Sequence, residues 1–215
     1  MKPAIFLTVL RGIETFADGL LTQGDVELIS MYETTYSVLD GHKIPYRKFS
    51  DFYSEEHKSW AANEAGARAG AIAMELQGPD MRREWPSFEQ DEVMWPRLEH
   101  EVTQLLRRDF FEQMVFIDAF RRCAREMDVR LVVVQQDIAR DTKTIIHTAH
   151  RLGVPSLHIL HGFPNGATNM HDECFADVVA VYSERSKKIF ESFGMPPDRI
   201  HITGNPEWDK HARPP

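Results

Sequence analysis

The chain has 215 residues, and its 25 Lys and Arg against 33 Asp and Glu give a formal net charge of −8. This length suits one compact domain with room for an insertion, and the acidic balance argues against a nucleic-acid-binding protein, which needs a basic face. The first apolar run is closed by Arg11, too early for a signal peptide, and no run reaches the about 20 apolar residues of a membrane helix. We therefore expect a cytoplasmic protein, with peripheral attachment to the inner face of the membrane left open.

The predicted elements alternate between strands and helices along the chain. Asp141 or Thr142 is expected to cap a helix that ends at His150 or Arg151, and Ser183 a helix that ends before Gly194. Strands separated by such helices need crossover connections, so the sequence predicts an α/β fold with a doubly wound, parallel, Rossmann-like sheet. The apolar runs that predict strands are 3–10, 25–32, 130–136, 155–161, 177–183 and 199–203.

The middle of the chain, from about 51 to 128, carries no strand signal and is predicted to be a helical insertion. Two helical patterns flank a loop at 78–96, in which we expect Trp85 and Trp95 to pin the loop against the core or to stack on a sugar ring or a base. The second pattern predicts one apolar stripe along a long helix. Its members are Leu98, Val102, Leu105, Phe110, Met114, Ile117, Phe120, Ala124 and Met127.

Polar residues follow most of the predicted strands, where a doubly wound sheet binds its ligands. Asp137 serves as a ligand contact or caps the next turn, His161 as a general base or a structural residue, and Ser183 as an N-cap that also contacts ligand. The sequence has no G-x-G-x-x-G and no P-loop, which argues against an NAD enzyme and a nucleoside triphosphatase. The candidate site residues are Arg11, Gly12, Gln136, Asp137, His161, Gly162, Asn165, Gly166, Ser183, Glu184 and Asn205.

Metal and thiol chemistry have little support in the sequence. The run HDEC at 171–174 brings His, Asp, Glu and Cys together, but solvated loop polarity explains it more simply. Cys174 has only His171 beside it as a base, and Cys123 lies in a helical pattern. We therefore predict neither a disulfide framework, nor a metal site, nor a bound cofactor.

From about residue 130 onward the sequence resembles the first domain of the two-Rossmann (GT-B) glycosyltransferase superfamily. The resemblance is greatest to the UDP-N-acetylglucosamine 2-epimerase branch and to surface-polysaccharide and CDP-glycerol transferases. It covers about 80 residues and rests on an ordered series of weak motifs. The matching residues are Asp137, Thr142, Gly153, Val154, Pro155, His161, Gly162, Ala176, Asp177, Ser183, Gly194, Arg199, Ile200, Thr203, Gly204, Asn205, Pro206 and Asp209.

The resemblance implies a domain organisation. Residues 1–209 would form the acceptor-side domain, and 210–215 would begin an interdomain linker or mark an artificial end of the chain. The family's second Rossmann domain, which holds most of the nucleotide-sugar contacts, would follow in the same chain or be supplied by a partner subunit. The chain alone would then be inactive, and a homodimer is left open.

The resemblance also implies a function. The chain would be the acceptor-binding half of a glycosyltransferase that makes surface polysaccharides or glycoconjugates, with His161 or Asp137 as the base. Its partners would be a sugar or glycoconjugate acceptor and a nucleotide-sugar, but no nucleic acid. The epimerase branch carries a glutamate where this chain reads His161-Gly162. The alternatives are the corresponding half of a UDP-N-acetylglucosamine 2-epimerase-like enzyme and a non-catalytic binding domain of the same fold.

Overall fold

The computed structural model describes residues 2–9, 11–76, 94–136, 139–160, 162, 175–205 and 208. Within these ranges seven strands form one sheet in the order β3-β2-β1-β4-β5-β6-β7, and every neighbouring pair is parallel. This confirms the predicted doubly wound parallel sheet. The strands are β1 (Pro3–Thr8), β2 (Glu27–Ser30), β3 (Arg47–Lys48), β4 (Asp128–Val134), β5 (Ser156–Ile159), β6 (Val178–Val181) and β7 (Ile200–Ile202).

All six predicted strands are present, and β3 is an addition that the apolar pattern could not reveal. It has two residues, Arg47 and Lys48, both exposed at the edge of the sheet. The described α-helices are α1 (Ile13–Gln23), α2 (Tyr36–Gly41), α3 (Glu55–Leu76), α4 (Met94–Glu126), α5 (Arg140–Arg151) and α6 (Glu184–Ser192). None of them combines the length and apolarity needed to cross a membrane.

The central strand β1 is covered on both faces, which explains its unbroken apolar sequence. Ile5 and Leu7 pack into a cluster that includes residues of α1 and β4. Phe6 alternates to the other face. There its ring meets Phe49 at 4.9 Å and Phe120 at 5.1 Å, both edge to face. These contacts anchor β1 in the middle of the sheet.

Residues 53–118 form a compact unit of their own, and the sheet belongs to the other unit, 1–52 with 119–215. Helix α3 buries an alanine stripe at Ala61, Ala65, Ala69 and Ala73, one residue in every four. The side chain of His57 lies 3.2 Å from the carbonyl oxygen of Met114 on α4. The extent of the insertion, 51–128, stays a prediction.

Two local predictions are corrected. Helix α5 begins after Ala139 instead of at Asp141 or Thr142. Thr142 lies in the first turn, where its hydroxyl donates to the Ala139 carbonyl at 2.9 Å, whereas a capping side chain accepts from a backbone N–H. The predicted stripe on α4 is buried only near its end: Leu98 and Leu105 are 40% and 49% exposed. Ser183 does cap α6, accepting a hydrogen bond from the Ser186 N–H.

Candidate functional site

The order of the strands reverses beside β1, and this reversal creates a crevice at the carboxyl edge of the sheet. From β1 the chain proceeds to β2 and β3 on one side, whereas β4 to β7 are added on the other side. The chain therefore leaves Thr8 of β1 and Val134 of β4 in opposite directions. Ligands of doubly wound sheets bind at such a switch point, because loop backbones and helix N-termini converge there.

The segments that leave β1 and β4 are joined at this point by one side chain. Gln135 is 6% exposed, and its Oε1 accepts a hydrogen bond from the Arg11 N–H at 2.9 Å. Its Nε2 donates to the Arg11 carbonyl at 2.6 Å. Next to Arg11, Gly12 has φ 66° and forms the N-cap of α1. The turn from β1 into α1 is thus held from the neighbouring strand, while the Arg11 residue is exposed.

A pocket opens at this turn and extends along the ends of β5, β6 and β7. Its cavity volume of about 40 Å³ is room for about three water molecules, so it can receive one functional group or the edge of a ring. A larger ligand would lie mostly in the mouth of the pocket. The lining residues are Arg11, Gly12, Phe16, Gln135, Ile159, Leu160, Ala180, Tyr182, Thr203, Gly204 and Asn205.

The wall of the pocket is braced by hydrogen bonds between strand ends. The Tyr182 hydroxyl donates to the Leu160 carbonyl at 2.6 Å, which fixes the ring beside β5. Nε2 of the buried His158 lies 3.1 Å from the Gln135 carbonyl. The ring of Tyr182 also contacts the indole of Trp208, with 5.9 Å between centroids and 39° between planes. Both aromatic side chains are therefore held near the pocket.

A second contact at the carboxyl edge joins β2 to α5. The Tyr32 hydroxyl donates to Oδ2 of Asp141 at 3.0 Å, and Oδ1 of Asp141 accepts from the Thr142 N–H at 2.8 Å. Burial raises the pKa of Tyr32 well above its usual range, and the charge of Asp141 and this hydrogen bond act in the same direction. The phenol therefore stays a hydrogen-bond donor throughout the physiological pH range.

Three of the predicted site residues line the pocket: Arg11, Gly12 and Asn205. Their proximity follows from parallel strands that end at one edge. Ser183 and Glu184 lie at the start of α6, where Ser183 acts as the cap. They are not among the residues that line this pocket.

The remaining predicted residues lie elsewhere or outside the described ranges. Gln136 and Gly162 are exposed. Gln136 does not line the pocket, whereas its neighbour Gln135 does. The two candidate bases, Asp137 and His161, and the loop residues Asn165 and Gly166 lie outside the residues that the structure describes.

Several lining residues were not predicted. Gln135 is the first polar residue after an apolar run, but it lies inside the predicted strand 130–136, which extends two residues beyond the observed end of β4 at Val134. Tyr182 and Thr203 also come directly after strands, but the apolar pattern places them inside the predicted strands 177–183 and 199–203. Phe16 lies one turn into α1 and left no signal in the sequence.

A different polar cluster lies at the opposite, amino edge of the sheet. Oδ2 of Asp177 accepts from both the backbone N–H and the hydroxyl of Ser156, each at 2.8 Å, and lies 2.9 Å from Nε2 of His150. A catalytic triad needs the histidine between the serine and the carboxylate, with one ring nitrogen facing each. Here the carboxylate binds the serine directly, so the cluster serves to tie α5, β5 and β6 together.

Within the described ranges, no group of three His, Cys, Asp or Glu side chains is arranged to hold a metal ion. The run at 171–174, including Cys174, lies outside those ranges. Cys123 is buried on α4, and burial raises the pKa of its thiol to about 12. A thiol that stays protonated at neutral pH is a poor nucleophile, so Cys123 belongs to the core.

Fold and site together define a Rossmann-like α/β domain with a pocket at its switch point. No protein-family model and no curated protein matches the chain. Solved structures that it resembles include Alr3699/HepE from Anabaena in complex with UDP and glucose, at 12% identity and TM-score 0.46 over 95% of this chain and 45% of that one. A glycosyltransferase from Rickettsia africae matches at 12% identity and TM-score 0.43, over 95% and 43%.

The chain thus spans less than half the length of these structures. Similarity at this level assigns neither a family nor an activity, which have to be argued from the site itself.

Proposed function

We propose that this chain is the acceptor-side domain of a glycosyltransferase that uses a nucleotide-sugar donor. The observation that carries the proposal is the pocket at the switch point. Arg11 and Gly12, which follow β1, and Asn205, which follows β7, line this pocket. This is where a doubly wound domain binds its ligand. The ordered motifs between 130 and 209 support the glycosyltransferase class.

The chemistry requires a base close to the acceptor hydroxyl. In transfer, the hydroxyl oxygen bonds to the anomeric carbon of the donor sugar, the bond from that carbon to the nucleotide diphosphate breaks, and a base takes the hydroxyl proton. In the sequence, Asp137 follows β4 and His161 follows β5. Gln135, two residues before Asp137, and Leu160, directly before His161, both line the pocket. We assign the role of base to Asp137 or His161.

The proposal extends to partners. A second Rossmann domain, in the same chain or in a partner subunit, would hold the nucleotide-sugar and close the cleft against water. The acceptor would be a sugar or glycoconjugate of a surface polysaccharide pathway. We expect the 215-residue chain alone to bind the acceptor without transferring sugar, and its oligomeric state can be measured in the same preparation.

Calorimetric titration of the 215-residue chain with a panel of methyl glycosides, UDP-glucose and UDP tests the binding step. We expect Arg11→Ala to weaken binding of the best ligand about tenfold, because a charge-assisted hydrogen bond is lost. Arg151→Ala is the matched control, since this exposed arginine ends α5 at the amino edge. A chain that binds none of these ligands would overturn the proposal.

The product of the whole reading frame tests the chemical step with radiolabelled UDP-sugars and cell-envelope acceptors. We expect either Asp137→Asn or His161→Ala to lower turnover by at least about a hundredfold, as loss of a general base does. Normal turnover in both variants would exclude both bases. Conversion of UDP-N-acetylglucosamine to its 2-epimer without any acceptor would instead establish the epimerase alternative.

A further inference from the structure

An aromatic surface stands at the mouth of the pocket. Trp208 is 62% exposed, and its indole contacts the ring of Tyr182, a lining residue. The backbone N–H of Trp208 donates to the carbonyl of Asn205, another lining residue, at 2.9 Å, which places Trp208 beside the pocket. We call Tyr182 and Trp208 together the aromatic platform.

The position of the platform matches the size of the pocket. With about 40 Å³ of cavity, the pocket does not enclose a six-membered sugar ring, which would rest in its mouth. An exposed indole there offers a flat surface with a negative π face. The C–H bonds on one face of a pyranose carry partial positive charge and can stack on such a surface.

The polar residues around the aromatic platform can form hydrogen bonds with the hydroxyl groups at the rim of a sugar ring. Asn205 carries both a hydrogen-bond donor and an acceptor, and the Arg11 guanidinium carries donors only. The Thr203 hydroxyl donates to the Gly204 carbonyl at 3.3 Å, and its oxygen can accept. The lining residues include no carboxylate. A pyranose combines an apolar face with a rim of hydroxyl groups, so its two surfaces correspond to the two parts of the site.

The other described, exposed tryptophan lacks these surroundings. Trp60 on α3 is 50% exposed and stacks against His57 with centroids 4.8 Å apart. It lies in the helical unit 53–118 and lines no part of the pocket. Trp60 therefore serves as a control of the same residue type and similar exposure.

We propose that Trp208, supported by Tyr182, stacks on the apolar face of the pyranose ring of the ligand and thereby determines which sugars bind. This inference rests on the proposed function, because it identifies the part of the carbohydrate that the site recognises. It adds a specificity-determining residue that the polar residues at the strand ends do not include.

Saturation-transfer NMR with the 215-residue chain and a panel of methyl hexopyranosides tests the proposal. We expect the strongest saturation on the C–H protons of one sugar face. Trp208→Ala and Trp208→Leu should each weaken affinity about tenfold, whereas Trp208→Phe, which keeps an aromatic face, should stay within about threefold of wild type. Because leucine is apolar but has no π face, it separates stacking from simple packing.

The controls distinguish a failure of the stacking proposal from a failure of the proposed function. Trp60→Ala should bind like wild type, and unfolding curves of all variants should coincide because both indoles are exposed. Equal affinity of Trp208→Ala and Trp60→Ala for the methyl glycosides would contradict the stacking role of Trp208 but leave the proposed function intact. Loss of UDP binding in Trp208→Ala with unchanged methyl glycoside binding would overturn the assignment to a pyranose. Wild-type protein that binds no glycoside and no nucleotide-sugar would overturn the proposed function itself.

Discussion

The side-chain amide of Gln135 forms two hydrogen bonds with the backbone of Arg11, accepting from its N–H at 2.9 Å and donating to its carbonyl at 2.6 Å. These residues are 124 positions apart in sequence but follow neighbouring strands, β4 and β1. A primary amide is suited to this role, since it presents one donor and one acceptor side by side. The backbone of the exposed Arg11 is thereby held at the switch point.

We expect Gln135→Leu to lower the free energy of unfolding by about 1–2 kcal/mol, because two hydrogen bonds to the backbone are lost and the shape is roughly kept. Ligand affinity should fall as well, since the turn that carries Arg11 and Gly12 is no longer held. Urea unfolding and calorimetric titration measure the two effects.

Gln136→Leu is the control for this change, because Gln136 is the adjacent residue and is exposed. Its effect on unfolding should stay within about 0.5 kcal/mol. If both leucine variants are equally stable and bind equally well, the two hydrogen bonds of Gln135 do not organise the site.

Gly12 provides a second test of the same turn. Its φ of 66° lies in the left-handed region, where a Cβ atom is strained. We expect Gly12→Ala to cost about 1 kcal/mol of stability and to weaken ligand binding. Gly19 lies within the same helix α1 with no neighbouring heavy atom near an added Cβ, so Gly19→Ala should stabilise the protein by about 0.5–1 kcal/mol. Opposite signs in urea unfolding are the expected result, and equal signs would contradict it.

The sequence was sufficient for the architecture because buried parallel strands are continuous apolar runs. It predicted six strands to within two residues at each end. It missed β3, whose residues Arg47 and Lys48 are polar because an edge strand needs no apolar face.

The site was predicted less completely, for a different reason. Arg11, Gly12 and Asn205 could be found because polar residues and glycines at strand ends interrupt the apolar runs. The apolar pattern places Gln135 inside the strand instead, because the run RLVVVQQ does not mark where pairing stops. Its contact with Arg11 depends on which strands are neighbours, and one sequence does not contain that information. Trp208 is not among the predicted site residues for the same reason, since its ring contact with Tyr182 depends on the fold.

The cluster at the amino edge gives a prediction about pH. Partial burial alone would raise the pKa of Asp177, but hydrogen bonds from the hydroxyl and the N–H of Ser156, together with the charge of His150, outweigh it and lower the pKa below its usual value. A carboxyl group with a lower pKa in the folded state stabilises the fold at pH values above its unfolded pKa, about 3.9. That contribution is lost as the pH falls through the folded pKa.

We therefore expect wild-type protein to lose stability between about pH 5 and pH 2.5 more steeply than Asp177→Asn, which has no charge to lose. At pH 7 the variant should be less stable by about 1 kcal/mol or less, because the Asp177 side chain is 46% exposed and solvent screens its interactions. The two unfolding curves should converge at the acid end of the range. Asp198→Asn, which alters an exposed carboxylate in the turn before β7, should follow wild type throughout. If the free energy of unfolding of Asp177→Asn differs from that of wild type by the same amount at every pH, the Asp177 carboxylate is no more stabilised in the folded chain than in the unfolded one.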